Sequence, residues 1–200
     1  ACEKKNINPE DLYKDLETVA NRSTNSDLDF NSWPLDLLAD YVEKTHHRYV
    51  EEKTQMIIPY LNKLCKVHGD RHPELFEINT LFIESARDLA AHMKKEELIL
   101  FPFIKRMVEA ERKGEKLETP RFGTVENPVD SMKHEHTVEG ERFEKMAKLT
   151  NSYQFPADAC GTYQVTYQML EDFENNLHKH IHLENNILFP KAIALEKTLN

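Results

Sequence analysis

Two stretches of the chain carry the same four marks. His92, Glu96, Phe101 and Pro102 stand in HMKKEELILFP, and His180, Glu184, Phe189 and Pro190 stand in HIHLENNILFP, each 88 residues after its twin. Residues four apart on a helix lie on one face, a turn apart. Each copy therefore presents an imidazole beside a carboxylate. Two such helices face to face gather two nitrogens and two carboxylates in one small space, which is how helical bundles build dinuclear metal sites.

Two further histidines extend the set. His136 falls on an apolar stripe with Val129, Met132, Phe143 and Met146. In the earlier part of the chain both His46 and His47 have apolar neighbours at helical spacing. The likeness of His46–Met56 to His136–Met146 favours His46. A lone histidine on an apolar stripe is more often an ordinary core residue, and a lone His-x-x-x-Glu is more often a surface pair. Four such histidines on four separate helices, two of them with a Glu one turn on, form a different pattern. A buried carboxylate with no partner costs several kcal/mol and an unpaired imidazole about 1–3 kcal/mol. A pair of metal ions supplies the missing charge. Imidazole suits iron, zinc, copper and nickel, while carboxylate favours harder ions. The mixed set His46, His92, Glu96, His136, His180 and Glu184 points to iron or manganese, with zinc as the alternative. Bridging carboxylates hold two such metals roughly 3.5–4 Å apart.

Around this set stand candidates for an outer layer. Glu135 and Glu139 flank His136 and either orient it and move protons or belong to a solvated acidic face. Tyr49, one turn from His46, either donates a hydrogen bond near the metals or packs in the core. Glu97, five residues after His92, is expected to turn away.

The elements that must position these residues are four long helices. The first runs over 34–67, with Ser32 as cap and Gly69 as stop, on a stripe of Leu38, Val42, Tyr49, Met56 and Tyr60. Pro59 lies inside it and is expected to bend it. The second runs over 73–112 on Ile78, Leu81, Leu89, Ile99, Phe103 and Met107. The third runs over 128–150. The fourth runs over 159–195 on Leu170, Phe173, Leu177 and Ile187 or Leu188. Short connections make this an all-α, up-down-up-down four-helix bundle over 32–200, preceded by a short helix in 1–20 and a polar linker over 21–31.

Composition excludes other classes. Hydrophobic residues at 40% are too many for a disordered chain, and 5 glycines in 200 residues suit long helices. A net charge of −9 argues against nucleic acid or an anionic membrane as partner. No apolar run approaches the ~20 residues of a membrane span. Neither a signal peptide nor an initiator Met opens the chain, which suggests a processed or trimmed start. Cys2, Cys65 and Cys160 form no CxxC pair and read as free thiols in a reducing compartment. No phosphate-binding loop or nucleophilic triad is present.

The segments THHRYVEE with His46, HMKKEELILFP with His92 and Glu96, HEHTVEGE with His136, and HKHIHLENNILFP with His180 and Glu184 carry a resemblance. Over about residues 34–195 the chain resembles the hemerythrin-like domain of the RIC family, the repair-of-iron-centres proteins. The resemblance implies two non-haem iron ions, oxo- or hydroxo-bridged, with Glu96 and Glu184 bridging them. It implies a cytoplasmic protein that restores iron-sulfur clusters damaged by nitric oxide or peroxide, with damaged iron-sulfur proteins and NO or O2 as partners. Two mechanisms fit: supply of labile iron, or oxidoreductase chemistry on NO or a related small molecule. A sensor or carrier of oxygen or NO is a third reading. The opening ACEKKNINPEDLYKDLE resembles the end of that family's small N-terminal domain, without the adjacent cysteine pair expected upstream. Oxygen-carrying hemerythrins place a second His one turn after the third-helix ligand, where this chain has Gly140, and an Asp at the position of Asn185. Fewer protein ligands leave more open coordination positions, which suits repair over oxygen carriage.

Overall fold

The computed structural model describes residues 28–199. The helix expected over 1–20 and most of the linker expected over 21–31 lie outside them. The chain divides after Ser32. On the near side of that division, Phe30–Ser32 form a single 3-10 turn. From Trp33 on, the described residues contain helices and no strand.

Four rods make up this unit. The first joins α1 (Leu35–Tyr41), a π-helical turn π1 (Val42–His47) and α2 (Arg48–His68). The second joins α3 (Glu74–Lys95), π2 (Glu96–Leu100) and α4 (Phe101–Lys113). The third is α5 (Glu126–Leu149). The fourth joins α6 (Gly161–Leu183), π3 (Glu184–Leu188) and α7 (Phe189–Leu199). The first rod packs along the second and the fourth, and the second along the third. The start of the first rod, α1, packs on the end of the second, α4, and α4 packs on the end of the fourth, α7. With short connections between successive rods, the rods alternate in direction, up-down-up-down.

Two glycines make the ends of rods possible. A side chain at Gly69 would place its Cβ 2.3 Å from the Cys65 carbonyl oxygen and 2.6 Å from the Phe76 ring, so the turn into α3 closes only without one. Gly114 ends α4 in the left-handed conformation, φ 65°.

The phase of the first rod differs from the sequence expectation in one consistent way. Leu38 and Val42 are buried as expected. Past π1, the core residues are Val50, Ile57 and Leu61, each one position after the expected Tyr49, Met56 and Tyr60, of which Met56 and Tyr60 are exposed. The buried residues Val42 and His47 are five apart. A π-turn holds one residue more than an α-turn, so every position beyond it rotates by about 100°. The same effect in the second rod exposes Ile99 and buries Leu100 in its place.

Two of the π-turns have a local cause. The amide of Phe101 donates to the carbonyl of Glu96, and that of Phe189 to Glu184, five residues back instead of four. Pro102 and Pro190 follow directly. Proline has no N–H to donate, and its ring crowds the carbonyl four residues back. A wider turn lets the rod pass the proline without breaking. No proline follows π1. Pro59, inside α2, is exposed together with Gln55, whose carbonyl it leaves without a helical donor.

Beneath the histidines the bundle is filled by aromatics. The Phe173 ring meets Phe82 edge-on at 5.2 Å, stacks on Phe143 at 5.6 Å and touches Tyr49 at 6.2 Å. Truncation of this fully buried ring removes contacts to three rods at once. Phe173→Ala is expected to cost about 3–5 kcal/mol in urea unfolding. A cost below about 1 kcal/mol would show that the rods close without it.

Candidate metal centre

Where the rods cross at the level of the three π-turns, six polar residues are almost completely buried: His47, His92, Glu96, His136, His180 and Glu184. Two groups of four donors form. One is His47, Glu96, His180 and Glu184; the other is His92, Glu96, His136 and Glu184. Within each group the donor atoms lie within 4.8 Å of one another. Both carboxylates belong to both groups. Glu96 Oε2 lies 3.4 Å from His47 Nε2 and 3.3 Å from His92 Nε2. Glu184 approaches His136 Nε2 at 3.1 Å through Oε2 and His180 Nε2 at 3.0 Å through Oε1.

Five of the six residues expected from sequence come together here, and His46 does not. The extra residue of π1 turns His47 inward instead. His46 is buried behind the cluster, its Nδ1–H donating to Asn176 Oδ1 at 3.1 Å and its ring stacked on His180 at 5.6 Å. Tyr49 packs on Phe173 under the Lys53 ammonium and touches none of the six. Glu139 accepts from Ser85 Oγ at 2.6 Å and pairs with Arg142, also without reaching them. Burial pushes the Glu139 carboxyl up from its ordinary value, against the pull of Ser85 and Arg142.

The outer nitrogens of three imidazoles are tied. His92 Nδ1–H donates to Glu135 at 2.9 Å, and Glu135 also pairs with Lys95. His47 Nδ1–H donates to Glu97 at 3.1 Å, and His136 Nδ1–H to Asn185 Oδ1 at 3.0 Å. Each of these bonds fixes a tautomer whose Nε2 lone pair faces the cluster, the usual device for orienting a metal-binding histidine. Glu97 therefore turns in, contrary to expectation. At the start of π2, Glu96 and Glu97 thus meet the same imidazole, Glu96 at the inner nitrogen of His47 and Glu97 at the outer one. Of the two outer-layer carboxylates read from sequence, Glu135 takes that role.

The inner atoms are the opposite case. His47 Nε2, both oxygens of Glu96, both oxygens of Glu184 and both nitrogens of His180 are buried without a hydrogen-bond partner. Orphans of this kind cost about 1–3 kcal/mol each, and more when charged. Burial alone would raise both carboxyls. The surrounding imidazoles outweigh it and hold Glu184 well below the usual carboxylate range and Glu96 lower than its ordinary value. Burial likewise works to lower His92, but Glu96 overrides it and raises the imidazole to about 9. Glu96 thus favours a proton on His92, and an entering cation must displace it. Nitrogen and oxygen donors with their lone pairs converging, and no other partners, fit a divalent metal in each group.

A cleft of about 290 Å³ reaches this side of the bundle, lined by Asp88, His92, Lys95, Glu135, His136 and Glu139 among others. The turn of α5 beyond His136 is open too, since a side chain at Gly140 would meet nothing within 4 Å.

The sequence pattern of the hemerythrin HHE cation binding domain matches residues 38–192. The chain belongs to the hemerythrin HHE family. The six clustered residues lie within the span matched by this cation binding domain, and each group of four could hold a metal ion. Similar proteins include the iron-sulfur cluster repair protein ScdA of Staphylococcus epidermidis, 30% identical over 189 residues, which cover 94% of this chain and 80% of that protein. The iron-sulfur cluster repair protein YtfE of Pectobacterium atrosepticum is 32% identical over 197 residues, 98% of this chain and 82% of that one. A probable iron-sulfur cluster repair protein of Haemophilus influenzae is 30% identical over 194 residues, 96% of this chain and 81% of that one. No described helix is long and apolar enough to cross a membrane.

The exchange of His46 for His47 is open to direct measurement. His47→Ala is expected to lower bound metal by about half or more, because a buried donor of one group is gone. His46→Ala is expected to leave the stoichiometry unchanged. Elemental analysis of the two variants decides the matter, and the reverse result would put His46 back among the donors.

Proposed function

We propose that this chain is a non-haem di-iron protein that repairs iron-sulfur clusters damaged by nitrosative or oxidative stress, by supplying iron to them. The observation that carries the two-metal part is the sharing of Glu96 and Glu184 by both donor groups. One ion alone would leave a pair of buried imidazoles on the far side without a cation. The donor set of His47, His92, His136 and His180 with two carboxylates suits iron. The repair part is supported by the named activity of the similar proteins from three genera. When bound, iron supplies a redox couple and open positions for small nitrogen or oxygen ligands. The residues of the chain do the rest. Glu97, Glu135 and Asn185 hold their imidazoles in the receptive tautomer. The aromatic layer around Phe173 keeps water from below, and the cleft beside Glu135 and Glu139 leaves one side approachable. With Gly140 in place of a further side-chain donor, the iron beside His136 would be held by few protein groups, which leaves room there for a small ligand. Damaged iron-sulfur proteins are the partners of this reading, and the cytoplasm, where such clusters are assembled, is its setting.

The cleft onto His92 and His136 favours one second reading, an oxidoreductase acting on NO or peroxide. One experiment separates the two. Anaerobically purified protein should hold about two irons per chain, and the double variant Glu96→Ala, Glu184→Ala should hold almost none. Mixed with a [4Fe–4S] dehydratase damaged by peroxide, an iron donor restores its activity, loses iron in proportion and then stops. An oxidoreductase keeps its iron and consumes many equivalents of NO when given an electron donor. One zinc per chain, or no metal at all, would sink both readings.

A further inference from the structure

Resting on the two-metal reading, we propose that the two pockets are unequal: that of His92 and His136 holds its ion at least tenfold more tightly than that of His47 and His180. The shared carboxylates cannot make this difference. It lies in the outer nitrogens of the imidazoles. In the first pocket both are tied, His92 to Glu135 and His136 to Asn185. In the second only His47 is tied, to Glu97. The Nδ1 of His180 is buried with no partner at all. An outer hydrogen bond orients the ring and makes the inner nitrogen a better donor, and losing one typically weakens metal binding 10–100-fold.

The internal repeat shows where the missing partner should come from. Glu97 and Asn185 occupy equivalent places, 88 residues apart, and each serves the histidine of the preceding rod, His47 and His136. Glu135 immediately precedes His136 and serves His92. Its counterpart immediately precedes His47, and that residue is His46. His46 does reach His180, but with ring planes parallel, 13° apart, and centroids offset at 5.6 Å, and no hydrogen bond joins them. His46 spends its own Nδ1–H on Asn176. A histidine therefore stands where the repeat calls for a carboxylate, and His180 is the one imidazole of the four left without support. The cleft on the other side bears on access and not on this order of affinity. The less tightly held ion, the one beside His180, is the one this chain gives up first.

The test is an anaerobic titration of the metal-free protein with Co(II) against a chelator of known affinity, followed by the visible absorption of bound cobalt. Two equivalents should bind in steps at least tenfold apart. Asn185→Ala should weaken the tighter step 10–100-fold and bring the two together. Glu97→Ala should weaken only the looser step and widen the gap. His46→Glu should supply the partner that His180 lacks and tighten the looser step. A merely structural role for these residues would move both steps together in every variant. Two equal steps in the unaltered protein, or Asn185→Ala and Glu97→Ala acting on the same step, would overturn the inference and leave the two-metal reading standing. Binding of one equivalent or none would overturn that reading and this inference with it.

Discussion

Glu96 and Glu184 sit fully buried at the middle of a helical bundle, and the rest of the structure answers to their charge. Removing a carboxylate from water costs several kcal/mol unless opposite charge and hydrogen bonds replace the solvent. Here the replacement comes from four imidazoles, one from each rod. That requirement fixes how far along each rod the crossing must lie. The same six groups that balance one another as an acid–base cluster also form two sets of metal donors. A protein core seldom carries so much polarity for packing alone, since apolar side chains of similar volume would fill the space as well or better.

The three π-turns are the means by which the rods meet this demand. A regular α-helix that buries Leu35, Leu38, Ala39 and Val42 on one face would carry Tyr49, Met56 and Tyr60 onto the same face further on. The chain instead buries Val50, Ile57 and Leu61, and turns His47 toward the carboxylates, by taking one extra residue at π1. At π2 and π3 the wider turn begins at the carboxylate itself. There adjacent residues, Glu96 with Glu97 and Glu184 with Asn185, meet the two nitrogens of one histidine of the preceding rod, His47 and His136. Such turns give poorer backbone geometry than the α-helix. The aromatic layer below and the paired charges within offset that cost.

The duplication of the motif is closer in the inner donors than in their surroundings. The carboxylates and imidazoles that converge are matched copy for copy. The residues that steady them are a glutamate in one hairpin and an asparagine in the other, or a glutamate answered by a histidine. Two halves built alike at the centre and unlike at the edge are the basis of the unequal pockets proposed for this site.

Much of this was legible in the order of residues. The twin His-x-x-x-Glu motifs, their shared Phe-Pro and the apolar stripes between glycine and proline stops specify four helices, their lengths and five of the six inner residues. These features are local, and a helix repeats them at a fixed period. The choice between His46 and His47 was not legible, nor were the inward turn of Glu97, the burial of Leu100 in place of Ile99, or the service of Asn185 to His136. Each depends on the phase of a rod beyond a π-turn, where the regular period no longer applies. Proline after Phe101 and Phe189 hints at two of these turns, but nothing in the residues announces the one at Val42–His47. Its place is set by the need of the first rod to face the core on both sides of the turn and the carboxylates of two other rods between them, a condition that exists only once the bundle is assembled.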